Sequence, residues 1–314
     1  MPSQQVIQPL PSGFQLEAYR IDHQLSQGGF SIVYLAHDKD GTPVAIKEYL
    51  PNALAQRGAG TAVPTVREED LAAFRYGMKC FFEEGRALAL LDHPNLVRVV
   101  NFFRANETVY LVMQYERGRT LQAHIQRHKG SMTESFIRNV FSRLLNGLRE
   151  VHSRKLLHLD IKPSNIYLRN DGTPVLLDFG AARQTLYYDA SMLKPMYTPG
   201  YAAPEQFTTR DGLGPWTDIY AIGASMYTCL SGSAPQSADL RMNQDKLLPA
   251  ARRWVDQYSR ELLETIDWCM QIKQADRPDS VFVLQRALAE RRQVSYAQNW
   301  LGNVRRRLKE MIGR

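Results

Sequence analysis

The stretch His158-Leu159-Asp160-Ile161-Lys162-Pro163-Ser164-Asn165 constrains this chain more than any other. Pro163 fixes its own φ and has no backbone N–H, so the segment cannot be a helix interior. What is left is a rigid loop that presents a carboxylate (Asp160), a cation two residues on (Lys162) and an amide five residues on (Asn165). Thirteen residues beyond Asn165 comes Asp178-Phe179-Gly180, preceded by the strand-like run Val175-Leu176-Leu177. An Asp at the end of a buried strand, next to a flexible Gly, is a natural ligand for a hard cation such as Mg²⁺.

In this order the two motifs resemble the catalytic-loop and metal-binding signatures of protein kinases, H-R-D-L-x-x-x-N followed by D-F-G. More narrowly, the chain resembles the bacterial serine/threonine kinases of the eukaryotic type. It departs from the signature at Leu159, where the family carries Arg. The resemblance implies an α+β, two-lobed fold, with a small β-rich lobe holding one long helix and a larger, mainly helical lobe. It also implies Mg-ATP as cosubstrate, with Mn²⁺ as an alternative metal, and transfer of the γ-phosphoryl group to Ser or Thr hydroxyls of proteins, the chain itself included. Lys162, two residues after Asp160, resembles the Ser/Thr-specific pattern.

The composition, 44% hydrophobic and 23% charged over 314 residues, is that of a globular chain long enough for one large domain or two lobes. We read residues 1–18 as an amino-terminal extension, 19–290 as the kinase domain (19–116 and 117–290 for its lobes) and 291–314 as a basic carboxy-terminal helix. Cys80, Cys229 and Cys269 have neither metal-ligand spacing nor an even-numbered disulfide framework, which fits a reducing, cytoplasmic compartment. Met1 to Pro11 lacks the basic and apolar regions of a signal peptide. No run of about 20 apolar residues is present, so no transmembrane segment is expected. The net charge of +7 is read as a solvated surface that tolerates ATP and acidic proteins rather than a nucleic-acid interface.

In the first lobe, Leu25-Ser26-Gln27-Gly28-Gly29-Phe30-Ser31-Ile32-Val33-Tyr34 reads as strand, turn, strand. Against the family's G-x-G-x-x-G-x-V, only Gly28 falls on a motif glycine, and Ser26 and Ser31 replace the other two. Gly28 and Gly29 still let backbone approach phosphate closely, and Phe30 could cap the loop. Val44-Ala45-Ile46-Lys47 alternates as a strand should. The resemblance assigns Lys47 to the α- and β-phosphates, and Leu25 to Phe30, Val33 and Ala45 to the nucleotide pocket. Residues from Glu48 to Thr65 read as a loop insertion with no assigned chemistry. Lys47 needs an acidic partner on the helix expected over Asp70 to Leu91. Glu84 shares its face with Cys80, Phe81 and Leu88, whereas Glu83 lies with Lys79 and Arg86, so Glu84 is preferred. By the resemblance, Met113 borders the adenine pocket, and Gln114, Tyr115 and Glu116 form the hinge. Gly118 is read as loosening the link between lobes.

In the second lobe, Phe136 to His152 carries apolar residues at helical spacing and delivers the catalytic loop. The resemblance makes Asp160 the residue that receives or orients the acceptor hydroxyl proton. It assigns Lys162 to the γ-phosphate, Asn165 and Asp178 to the metal, and Tyr167 to the underside of the adenine. Ala181 to Ala203, with Thr185, Tyr187, Tyr188, Ser191, Tyr197 and Thr198, matches an activation loop. Thr198-Pro199-Gly200-Tyr201-Ala202-Ala203-Pro204-Glu205 matches its substrate-docking end, and Glu205 is expected to pair with Arg277. Asp218 reads either as an N-cap carboxylate or as a bond to the catalytic-loop backbone. Trp300, Val304, Leu308 and Ile312 recur every four residues, giving an amphipathic helix that packs on the second lobe or meets a partner or membrane surface. The rival functional readings are a pseudokinase scaffold that binds nucleotide without transfer, and a small-molecule kinase, against which the Thr198 to Glu205 segment argues.

Overall fold

The computed structural model describes residues 7–128, 132–178, 197–208 and 212–289. Several readings fall outside these residues: Phe179 and Gly180, the hydroxyl-bearing Thr185, Tyr187, Tyr188 and Ser191, and the helix over 291–314. What is described is a β-rich first lobe and a mainly helical second lobe.

The first lobe is an antiparallel sheet in the order β1-β2-β3-β4-β8-β7. Its strands are β1 (Gln15–Leu16), β2 (Tyr19–Gln27), β3 (Ser31–His37), β4 (Pro43–Tyr49), β7 (Val99–Ala105) and β8 (Thr108–Gln114). β5 (Ala55–Gln56) and β6 (Thr65–Val66) pair with each other inside the expected loop insertion. The long helix α1 (Leu71–Ala89) packs against β7 and β8.

Burial alternates along β3 as period 2 demands, but Ile46 to Tyr49 on β4 are all buried. Both faces of β4 are therefore covered. One face carries Lys47 toward α1 and the cleft, and the other carries Glu48, which no apolar cover could tolerate alone. The insertion and the leader supply the answer. Arg57 is fully buried and donates to Glu48 Oε1 at 2.5 Å and Oε2 at 2.8 Å, to Tyr34 Oη at 2.9 Å, and to the Gln8 and Ala62 carbonyls. Tyr34 and Tyr110 donate to the same carboxylate at 2.7 and 2.9 Å. Burial, and next the neighbouring Glu48 charge, push both phenols well above their ordinary range. Burial works against the Arg57 charge, but the Glu48 hydrogen bonds and charge outweigh it and hold the guanidinium protonated. Backbone bonds from Gln8 to Arg57 and from Leu10 to Tyr34 Oη then lay the leader on the sheet, where Leu10 and Leu16 are buried.

The second lobe contains β9 (Gly118–Thr120), α2 (Leu121–Arg127), α3 (Glu134–Ser153), β10 (Ile166–Arg169), β11 (Pro174–Leu176), α4 (Pro215–Ser231), α5 (Ala238–Asn243), α6 (Ala250–Arg253), α7 (Arg260–Cys269) and α8 (Val281–Ala289). Helix α4 is buried all round from Thr217 to Leu230 and packs against α3, α7 and α8, so it is the axis of this lobe. Among the described residues, no helix is long and apolar enough to cross a membrane.

Gly118 does not loosen the connection between lobes. A Cβ there would lie 1.9 Å from the Leu168 carbonyl oxygen, so glycine is what allows β9 to close onto β10.

Arg57→Met should destabilise the protein by roughly 3–5 kcal/mol, because Glu48 is left buried without a counter-charge. Glu48→Met combined with Arg57→Met should recover most of that loss. Urea unfolding midpoints of the two variants and the parent check this; equal midpoints for parent and single variant would contradict it.

Candidate active site

Helix α3 is capped by the Thr133 hydroxyl, which accepts from the Phe136 N–H at 3.2 Å. The chain after α3 passes into the catalytic loop under a fully buried carboxylate. Asp218, on α4, accepts from the His158 N–H at 2.9 Å and the Leu159 N–H at 2.8 Å, and lies 2.8 Å from His152 Nε2. Its own helix is capped at Gly214, so Asp218 serves the loop and not the helix start. Burial alone would raise this carboxyl; the His152 hydrogen bond and the surrounding positive partners win and hold it below the usual range.

These bonds hold Leu159 in the left-handed region at φ 62, which for a residue with a Cβ costs roughly 1–2 kcal/mol. The Gln206 amide donates to the Leu159 carbonyl at 3.0 Å, and the buried Leu159 side chain packs with Leu157 and Leu213. Burial pushes His158 down, toward the neutral imidazole. Its ring accepts from the Asp160 N–H at 3.3 Å and donates to the Leu177 carbonyl at 3.0 Å, which sets the tautomer.

Asp160 emerges from this scaffold one-fifth exposed. Lys162 Nζ donates to its oxygens at 2.8 and 3.1 Å, the Thr198 hydroxyl to Oδ1 at 2.8 Å, and the Asn165 amide to Oδ2 at 3.0 Å. Lys162 also reaches Thr198 Oγ1 at 2.7 Å. Two expected residues, Lys162 and Asn165, and Thr198 of the docking segment thus meet on one carboxylate. Across the cleft, Lys47 forms an ion pair with Asp178, which is also left-handed at φ 55. Lys47 thus meets a residue expected as a metal ligand. Glu84 is buried on α1, while Glu83 is on the surface with Arg86, at 3.1 Å.

The pocket beside Lys47 follows from strand register. Val33 lies opposite Lys47, and Ala45 opposite both Leu35 and Met113, which puts Val33, Ala45 and Met113 on the Lys47 face, half-buried. Tyr167 on β10 closes toward the hinge. Burial raises its phenol, then the neighbouring Tyr115, with a Gly118 backbone hydrogen bond opposing. Gln114 donates its N–H to the Arg98 carbonyl at 2.9 Å. The Glu116 side chain is taken by Arg169 at 2.6 and 2.7 Å, a brace the sequence does not announce. Leu25, Ser26 and Gln27 are exposed at the end of β2, and Gly28 and Gly29 are exposed in the turn to β3. The Leu50 and Asn52 N–H groups donate to the Phe30 and Gly29 carbonyls, both at 2.9 Å, so the insertion also braces this turn.

The docking end is held from below. Glu205 receives Arg277 at 2.8 and 3.0 Å and the Thr217 hydroxyl at 2.8 Å, all buried. The Glu205–Arg277 pair was expected; Thr217 and Gln206 were not, because each acts through tertiary neighbours with no motif of its own.

A two-lobed molecule with a lysine-lined cleft and an Asp-Lys-Asn loop facing an Asp at a strand end has the architecture of a phosphoryl-transfer domain. The protein kinase domain family matches residues 19–289, and the chain belongs to that family. It is 28% identical over 294 residues to serine/threonine-protein kinase C of Synechocystis sp., covering 86% of this chain and 49% of the relative. It is 29% identical over 228 residues to serine/threonine-protein kinase B of the same organism, covering 68% of this chain and 37% of the relative. The chain thus spans about half the length, or less, of these relatives. Among solved structures, apo PpkA-294 superposes with a TM-score of 0.79 at 35% identity, covering 89% of this chain and 99% of that one. The Mycobacterium tuberculosis PknI kinase domain, at 19% identity and a TM-score of 0.66, shares the fold.

Asp218→Asn should lower stability by roughly 1–3 kcal/mol near neutral pH, since the amide cannot accept all three contacts. A depressed carboxyl stabilises above its unfolded pKa of about 3.9 and loses that contribution as pH falls through the lower folded value. The gap between parent and variant should therefore narrow below about pH 4. Urea midpoints from pH 3 to 7 measure it; a gap that widens toward acid would contradict the assignment.

Proposed function

We propose that the chain transfers the γ-phosphoryl group of Mg-ATP to Ser or Thr hydroxyls of proteins, in a reducing, cytoplasmic setting. The observation that carries this reading is the convergence of Lys162, Asn165 and Thr198 on Asp160. That carboxylate is placed to receive or orient an acceptor hydroxyl, and Lys162 beside it offers a charge for the γ-phosphate. Lys47 offers a second cation for the α- and β-phosphates. Val33, Ala45, Met113 and Tyr167 would enclose the adenine against the Gln114 to Glu116 hinge, with Leu25 to Phe30 over the phosphates. The names of the two Synechocystis relatives support Ser/Thr acceptors.

Asn165 and Asp178 fit a hard divalent cation. Asn165 spends its N–H groups on the Asp160 side chain and carbonyl, which keeps its oxygen as a ligand, and Asp178 presents a carboxylate 41% exposed. Among the described residues no three His, Cys, Asp or Glu side chains cluster as a metal cage. A sparse pair of oxygen ligands suits Mg²⁺ or Mn²⁺, which keep waters and nucleotide phosphates in their shells. Such a cation would neutralise charge that spreads over the phosphoryl oxygens. The protein's own part is alignment and preorganised electrostatics.

The replacement of two glycines by Ser26 and Ser31 favours a rival, a nucleotide-binding scaffold without transfer. One experiment separates the two. Asp160→Asn should abolish phosphate transfer to a generic protein substrate while nucleotide binding stays near that of the parent. Transfer by the parent and none by the variant supports the kinase; no transfer by either, with nucleotide bound by both, supports the scaffold.

Leu159 generates a further expectation. An Arg at this place would be a desolvated cation needing a loop phosphate. Leu159 instead packs with Leu157 and Leu213 and has no charge to neutralise. Replacing Thr185, Tyr187, Tyr188 and Ser191 together by Ala or Phe should leave activity toward an external substrate within a fewfold. A thousandfold loss restored by acidic substitutions would place another cation in the role of the Arg.

A further inference from the structure

Beside the docking end lies a groove of about 650 Å³ that the catalytic reading leaves unused. Its lining includes Ala234, Pro235, Leu240, Leu248, Lys246 and Arg253, and among its lining residues there is no carboxylate. Leu240 and Leu248 are more than half exposed. Two acids flank lining residues in sequence, Asp239 beside Leu240 and Asp245 beside Lys246; Asp245 is already engaged, with Arg241 donating to it at 3.1 and 2.9 Å and the Leu247 N–H at 3.0 Å. Arg253 stacks on Trp254 and donates to Tyr227 Oη at 3.3 Å, and Lys246 is exposed. Among the described residues, neither cation is in an ion pair. The groove therefore combines exposed leucines with two uncompensated positive charges.

Its rim adjoins the catalytic centre. Thr198 is hydrogen-bonded to Asp160 and Lys162. Two residues on, Gly200 has φ +90 and packs so closely that a Cβ would lie 2.9 Å from the Pro235 oxygen and 3.1 Å from the Ala234 Cβ. Two extended residues span at most about 7 Å. A polypeptide whose hydroxyl reaches Asp160 can therefore continue over Gly200 into the groove.

We propose that this groove docks an acidic, apolar segment of the protein substrate, with its carboxylates on Lys246 and Arg253 and its apolar side chain against Leu240 and Leu248. At about 3.4 Å per residue, an Asp or Glu roughly three to five residues from the acceptor would reach it. The proposal rests on the kinase reading for its acceptor, but the groove can be read without catalysis. Charge here governs encounter and specificity more than the chemical step.

The test uses the full chain and two labelled peptides around one Ser, one carrying Glu-Leu-Glu three to five residues away and one carrying Gln-Leu-Gln. Lys246→Glu, alone and with Arg253→Gln, should weaken binding of the acidic peptide about tenfold by fluorescence anisotropy, and leave the neutral peptide unchanged. In transfer assays KM for the acidic peptide should rise about tenfold with kcat unaltered, and thermal midpoints should match the parent. Equal binding of both peptides by the parent, or equal loss for both in the variants, would overturn the proposal. Binding that follows charge while no peptide is phosphorylated would keep the groove and remove the kinase reading instead.

Discussion

A carboxylate with no exposure to solvent, Asp218, organises the catalytic half of this molecule. It sits on a helix buried on every side, and its two oxygens take the backbone N–H groups of His158 and Leu159. An ionised group in such a place is tolerable only because it is fully hydrogen-bonded. Those same bonds force Leu159 into a conformation that a leucine avoids. The strain at one residue aims the next, Asp160, at Lys162, Asn165 and Thr198.

The first lobe solves a comparable problem with a buried ion pair. Neighbouring β4 residues point to opposite faces, so a strand that sends Lys47 into the cleft must send Glu48 the other way. That face is closed by the insertion and the leader, and Arg57 spends its donors on Glu48, Tyr34 and two carbonyls. The backbone of the same insertion braces the turn between β2 and β3 through Gly29 and Phe30. The insertion thus supports both the buried face of β4 and the turn that precedes β3.

The two lobes are joined by short, specific contacts. Asn95 donates its side-chain amide to the Pro174 carbonyl at 2.8 Å, the Val97 N–H donates to the Leu176 carbonyl and the Leu176 N–H to the Asn95 carbonyl, and Arg169 ties Glu116 to β10. The Lys47–Asp178 pair crosses the cleft itself. It brings a cation of the first lobe against a carboxylate of the second.

The sequence alone determined the kinds of element and the positions of the chemistry. Strand-like runs became β3 and β4, helical spacing became α1 and α3, and the Asp160 to Asn165 loop follows from Pro163 and its polar neighbours. Glu84 was separable from Glu83 because helical faces are legible from spacing. What spacing cannot show is which distant groups share a buried volume. Arg57, Gln206, Arg169 and Thr217 lie in unremarkable local contexts; Gln206, Arg169 and Thr217 each gain a role from a partner at least 12 residues away, and Arg57 depends on a strand face that only the folded sheet creates. The Lys47–Asp178 ion pair is likewise a matter of how the two lobes sit together. Local physics set the elements; long-range desolvation and pairing of charges decided how they meet.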